Sequence, residues 1–342
     1  MKYITLLILL ISSLTSYAQH SKKEILIQEV DDYVKTVNKA ADQFLNKTLS
    51  TTERISAIEP YEFIYDSSQI GQFKKIVLDD KEEPVIRAAA LSKIYEVIAD
   101  DEKLWSVALV WLSDPATPKV LRQSALDMVS NSSLLWMNVP DVYQKMLEDP
   151  DPEFRLFAFT QLIIHGDARA QQKLIDGLEN PQSALLPAPT AISVLSMALK
   201  KEYYPALYNV LRQTKDEATR LEAIRALGSY KPAREDLITI MRSANEKEQL
   251  REAALDALFA SDRDNIVQYA SSILPDKSAT LRLKIIAIQM TIDVRQTMAY
   301  RVKAKNADSY DRLIKRIAND KNNPADLQNI AIKYMQFTRP NY

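Results

Sequence analysis

The chain has 342 residues, with 44 Lys and Arg against 45 Asp and Glu, a formal net charge of −1, and no cysteine. Without cysteine there is no disulfide framework, no thiolate metal site or nucleophile, and no residue for lipid attachment at a processed N-terminus, while the near-neutral balance argues against nucleic acid as a partner. Only 4 glycines occur, against a usual share of about 7%, which disfavours β-hairpin turns and phosphate-cradling loops and favours helices joined by Pro, Asp and Asn turns.

The chain opens "MKYITLLILLISSLTSYAQH". Lys2, the apolar run that follows and the small residues before Ala18 have the order of a secretory signal peptide. Residues 1–18 are therefore expected to be removed after Ala18, leaving a periplasmic or secreted protein that is not a lipoprotein. The run is short for a membrane span, although an uncleaved anchor is the alternative. No second long apolar segment follows, so the processed chain is not expected to span a membrane. Residues 19–50 read as a capping helix with a charged face, and residues 51–342 read as an array of repeats.

The repeats show when arginines are aligned. "VIRAAALSKI" at Arg87, "VLRQSALDMV" at Arg122, "EFRLFAFTQL" at Arg155, "ATRLEAIRAL" at Arg220, "QLREAALDAL" at Arg251 and "TLRLKIIAIQ" at Arg282 share a small residue near three after the arginine and apolar residues near four and seven. The spacings are 35, 33, 65, 31 and 31, and the longest is two periods. Weaker copies place Arg54, Ala188 and Gln328 in the same slot, the last implying an insertion near 291–308. Each such helix follows another amphipathic stretch across a turn such as "SDPATP" or "EDPDPE". A two-helix unit of about 33 residues cannot bury its apolar face alone, so it must stack on its neighbours.

These residues resemble the HEAT repeat family. The resemblance implies an all-α fold, an α-solenoid of about eight to nine antiparallel helix pairs. It covers about Thr51 to Gln336. The family signature is a turn Asp six residues before Arg, met by Asp149 with Arg155 and Asp276 with Arg282, and with an amide by Asn245 and Arg251. Asp114 stands two residues further from Arg122 than the signature asks. The resemblance implies that these groups, with Arg87, Arg122 and Arg220, form a hydrogen-bonded ladder between neighbouring repeats, interrupted at Ala188 and Gln328.

Chemistry-bearing motifs are few. His20 and His165 are the 2 histidines. His165 ends a helix, where a cation suits the last carbonyls, and zinc sites of Cys and His are excluded. The acid pairs Asp149 with Asp151 and Asp100 with Asp101 sit in turns, where helix capping accounts for them. No cofactor, metal or catalytic residue is expected. The function expected is a non-enzymatic scaffold that binds another protein through a concave surface. The alternative is catalysis on a glycan or nucleic acid through carboxylates in the groove.

Helix geometry gives a binding face. At 100° per residue, positions two, five and nine after the arginine point away from the core slots. Most repeats place small or polar residues there. Phe157, Thr160 and Ile164, followed by Thr190, Ser193 and Met197, bring an aromatic and two long apolar side chains instead. Interfaces are dominated by such anchors. A second surface is suggested by charge: from Arg282 onward there are 12 Lys and Arg against 5 Asp and no Glu. The group Arg301, Lys303, Lys305, Arg312, Lys315 and Arg316 is read either as a solvated cap or as contact with an acidic partner.

Overall fold

The computed structural model describes residues 17–64, 66–97, 101–131, 139–198, 200–297 and 307–338. Residues 1–16 of the expected leader, Asp100, and Arg301, Lys303 and Lys305 lie outside the described residues. Among the described residues the secondary structure is all helical, with no strand. Two compact units divide at Asp151 and Pro152.

The first unit holds α1 (Tyr17–Leu45), α2 (Thr51–Ile58), α3 (Ser67–Leu78), α4 (Pro84–Ile94), α5 (Glu102–Ser113), α6 (Lys119–Asn131) and α7 (Pro140–Met146). The chain starts helices where its turn residues satisfy the free N–H groups of the first turn. Ser50 and Glu53 form a reciprocal capping box at α2, and Asp66 and Asp101 accept from the first turns of α3 and α5. Pro84 and Pro140 open α4 and α7, where a missing N–H costs nothing. Consecutive helices pack as pairs, α1 on α2, α3 on α4 and α5 on α6, and alternate helices also touch, α2 on α4 and α4 on α6. Phe44 stacks on Phe73 at 4.8 Å, and Ala90 and Leu91 on α4 and Ala125 and Val129 on α6 are fully buried.

The second unit holds α8 (Pro152–Ile164), α9 (Ala168–Glu179), α10 (Ala188–Ser196), α11 (Tyr204–Gln213), α12 (Glu217–Ala226), α13 (Arg234–Arg242), α14 (Glu248–Ser261), α15 (Ile266–Ile273), α16 (Leu281–Thr297), α17 (Ala307–Asn319) and α18 (Ala325–Thr338). The same pairing continues, and the even-numbered helices follow one another from α8 to α18. α8 stops at Gly166, whose φ of 78° closes the helix with bonds from Gly166 N–H to Ile163 and from Asp167 N–H to Leu162. Asp167 then caps α9 through the N–H of Ala170 at 2.8 Å. Gly177 lets α9 meet the following turn closely, since a Cβ there would lie 3.0 Å from the Cα of Ala184.

The slot that the sequence assigns to arginine falls in every even-numbered helix, and the small and apolar residues three and four after it are buried in most of them. α16 differs. Ala287 and Ile288 are the buried pair there, with Leu283 and Thr291, so the slot belongs to Lys284 and not to Arg282. Ile285 and Ile286 are only half-buried. The repeated residues of this helix, "RLKIIAIQ", allow either register by hydrophobicity alone, and the small Ala287 decides it by fitting the close helix contact.

Candidate protein-binding face

The arginines act between pairs. Arg122, in α6, is nearly fully buried; its Nη2 donates to the carbonyl of Leu112 at 3.1 Å, and its Nη1 donates to Asp149 Oδ1 at 3.1 Å. Arg122 Nη2 also pairs with Asp149 Oδ2, and that carboxylate in turn accepts from the N–H of Asp151. Arg251 repeats the arrangement, donating to the carbonyl of Met241 at 2.9 Å, to Asp276 at 2.6 Å and to Ser278 at 3.2 Å. Arg54 donates to the carbonyl of Phe44 at 2.7 Å and to Glu82 at 3.0 Å. In each case one side of the guanidinium satisfies a carbonyl at the end of the preceding helix, ten residues back, and the other side meets an acid in the next turn along the chain. A rigid fork of five donors suits two acceptors at once, which a lysine could not match.

Other slots depart from this in ways the sequence explains. Arg220 takes Glu246 at 2.8 and 2.6 Å, so the acid is Glu246, next to the expected Asn245. Arg87 donates to the carbonyl of Val77 at 3.0 Å and lies over the ring of Trp111 at 4.9 Å. The turn that carries Asp114 is the long one, and the carboxylate is used to hold the N–H of Ala116. Arg155 donates to the carbonyl of Leu185 at 3.1 Å, in a turn that offers no acid. Arg282 is 75% exposed, and its Nε lies 2.8 Å from Glu252. Glu82, Glu246 and Trp111 were not singled out by the sequence. The signal that would have found the two acids is an acid 25 to 28 residues after an arginine, the spacing that Asp149 and Asp276 also keep.

Protonation follows burial and pairing. Burial alone would raise the Glu82 carboxyl, but the hydrogen bond and charge of Arg54, with help from Lys47, hold it below the ordinary glutamate value. Glu252 is raised, because burial outweighs the nearby Arg282. Asp256, one helical turn further along α14, is also raised by burial against the pull of Arg225.

The described acids of the two turn pairs serve the fold. Asp151 meets Lys119 at 2.8 Å, and Asp101 caps α5 and meets Lys74 at 2.9 Å. Among the described residues no group of His, Asp and Glu has the arrangement of a metal site, and no helix is long and apolar enough to cross a membrane.

The expected binding residues come together on α8 and α10, which pack on each other. Ile164 is 54% exposed at the end of α8 and Met197 is 53% exposed just after α10. Phe157, Thr160 and Thr190 are half-buried and Ser193 is exposed. Thr160 turns its hydroxyl back to the carbonyl of Leu156 at 2.8 Å, which leaves its methyl group to the surface. The same positions on α12 and α14 carry Glu222, Arg225 and Asp256, and Arg225 pairs with Glu222 at 2.6 Å. One face of the second unit thus changes from apolar at α8 and α10 to charged at α12 and α14. No protein-family model matches the chain, and no curated protein is similar to it.

Proposed function

We propose that the chain is a HEAT-like α-solenoid of eight to nine helix pairs that is exported and acts, without catalysis, as a scaffold for another protein. The reading is supported by the packing of alternate helices within each unit and by the arginines that tie one pair to the next. The binding face is the one that such a solenoid turns inward, at Phe157, Thr160, Ile164, Thr190, Ser193 and Met197. The observation that carries it is the exposure of Ile164 and Met197 on two helices in contact. Large apolar side chains exposed side by side mark interaction sites, and their burial on binding contributes roughly 25 cal/mol per Å².

The test is affinity capture of the tagged chain from its own cells. Ile164→Asp with Met197→Asp is expected to lose the captured protein while keeping the thermal unfolding midpoint. Val110→Asp, at an exposed apolar residue on α5, is expected to keep both. Phe157→Ala is expected to weaken capture with a stability loss below the roughly 3 kcal/mol that marks a core phenylalanine. Capture that survives Ile164→Asp with Met197→Asp would place the binding face elsewhere.

A further inference from the structure

Among the described residues, the helix α17 is covered on one side only. Tyr310, Ile314 and Ile317 are buried, whereas Arg312, Lys315 and Arg316 are exposed at the three-and-four spacing that aligns side chains on one helix face. These three cations rim an open cleft of about 1020 Å³, whose lining includes Leu313 and Ile317. Asp320 is the single acid in that lining. A ligand for this cleft should bring an apolar group with negative charges on the same face.

The chain itself carries that combination. On α1, Glu29, Asp32 and Tyr33 stand at the three-and-four spacing that puts them on one face of the helix. Tyr33 is 49% exposed, and its ring packs T-shaped with that of Tyr61, the centroids 6.2 Å apart. Asp32 is ionised with ease, since bonds from Gln28 and Lys35 hold its carboxyl below the ordinary value. Lys35 lies 3.3 Å from Asp32.

We propose that the cleft beside α17 receives the α1 face of a second copy of the chain. Tyr33 enters against Leu313 and Ile317, while Glu29 and Asp32 meet Arg312, Lys315 and Arg316. Each copy then offers one surface of each kind, so the contact is heterologous and each bound copy leaves a further pair of surfaces open. This inference uses neither α8 nor α10 and stands apart from the scaffold reading. Complementary charge brings the surfaces together and fixes their register, and the apolar centre supplies the burial.

Sedimentation velocity of the purified chain over a concentration series tests it. At low salt the mean sedimentation coefficient is expected to rise with concentration, and at about 0.5 M salt the rise is expected to disappear because charges are screened within several ångströms. The variant R312E/K315E/R316E and the variant E29K/D32K are each expected to associate about tenfold or more weakly than the unaltered chain. Mixing the two variants is expected to restore association, since each then offers the charge that the other lacks. A chain that stays monomeric at every concentration overturns the proposal. So does a mixture that behaves as the sum of its parts, or a cleft that takes poly-glutamate while copies of the chain ignore one another.

Discussion

A buried guanidinium is stable only while both of its partners remain. Arg122 and Asp149 are nearly fully buried and bonded to each other. Arg122→Ala removes the buried cation that reaches Asp149 from α6 and the donor to the carbonyl of Leu112, and the expected loss is about 3–5 kcal/mol in unfolding free energy. Arg282→Ala removes an exposed side chain and is expected to cost no more than about 0.5 kcal/mol. Thermal unfolding of the two variants side by side checks the difference, and equal losses would remove the distinction drawn between them. Acid distinguishes two glutamates in the same way. Glu82 has a lowered folded value, so its contribution is full above the unfolded value and is lost as pH falls through the folded one. Glu252 has a raised folded value, so the folded state takes up its proton first and this group favours folding as pH falls. Glu82→Gln is therefore expected to lower the unfolding midpoint at pH 7 and to flatten its fall in acid. Glu252→Gln is expected to hold or raise the midpoint at pH 7, and midpoints measured from pH 7 to pH 3 test both. The sequence made the slot arginines visible because a charge repeated among alanines stands out. It did not make their partners visible, because acids are common in turns and only distance along the chain separates Glu246 from Asn245. Arg282 was misleading for a related reason: an arginine two residues before the true slot fits the hydrophobic pattern almost as well as Lys284.

Helix ends carry the next level of information. α8 ends in a left-handed glycine whose virtual Cβ would meet only the end of Lys200, at 3.6 Å. Gly166→Ala therefore adds little crowding and isolates the backbone cost, expected at about 1–2 kcal/mol. Thermal unfolding of this variant beside Gly71→Ala, where no neighbour lies within 4 Å of a Cβ and the backbone is helical, checks it. Gly71→Ala is expected to be neutral or stabilising. The order and kind of helices were legible because Pro, Asp and Asn punctuate amphipathic runs, as at Asp167 and Pro84. The binding face was legible in part. Ile164 and Met197 point outward as the 100° rule requires, whereas Phe157, at the same kind of position, is half-buried.

For the molecule as a whole, the expectation that residues 1–18 are a leader predicts that intact-mass measurement of the exported chain finds it beginning at Gln19. A full-length mass in a membrane fraction would overturn it. Two surfaces of unlike character are exposed on the second unit, an apolar one on α8 and α10 and a charged one on α17. The arginines also act as a gauge of chain length. Arg54, Arg87, Arg122 and Arg251 all reach a carbonyl ten residues earlier, a reach that any added or deleted residue in the intervening turn would break. Such turns should tolerate substitution but not a change in length. The turn before α10 leads to Ala188, which has no such reach, but Arg155 holds the carbonyl of Leu185 within it and Ala184 lies close against Gly177. An added residue is therefore expected to be felt there too, so the helices keep their places by the lengths of their turns more than by the residues that fill them.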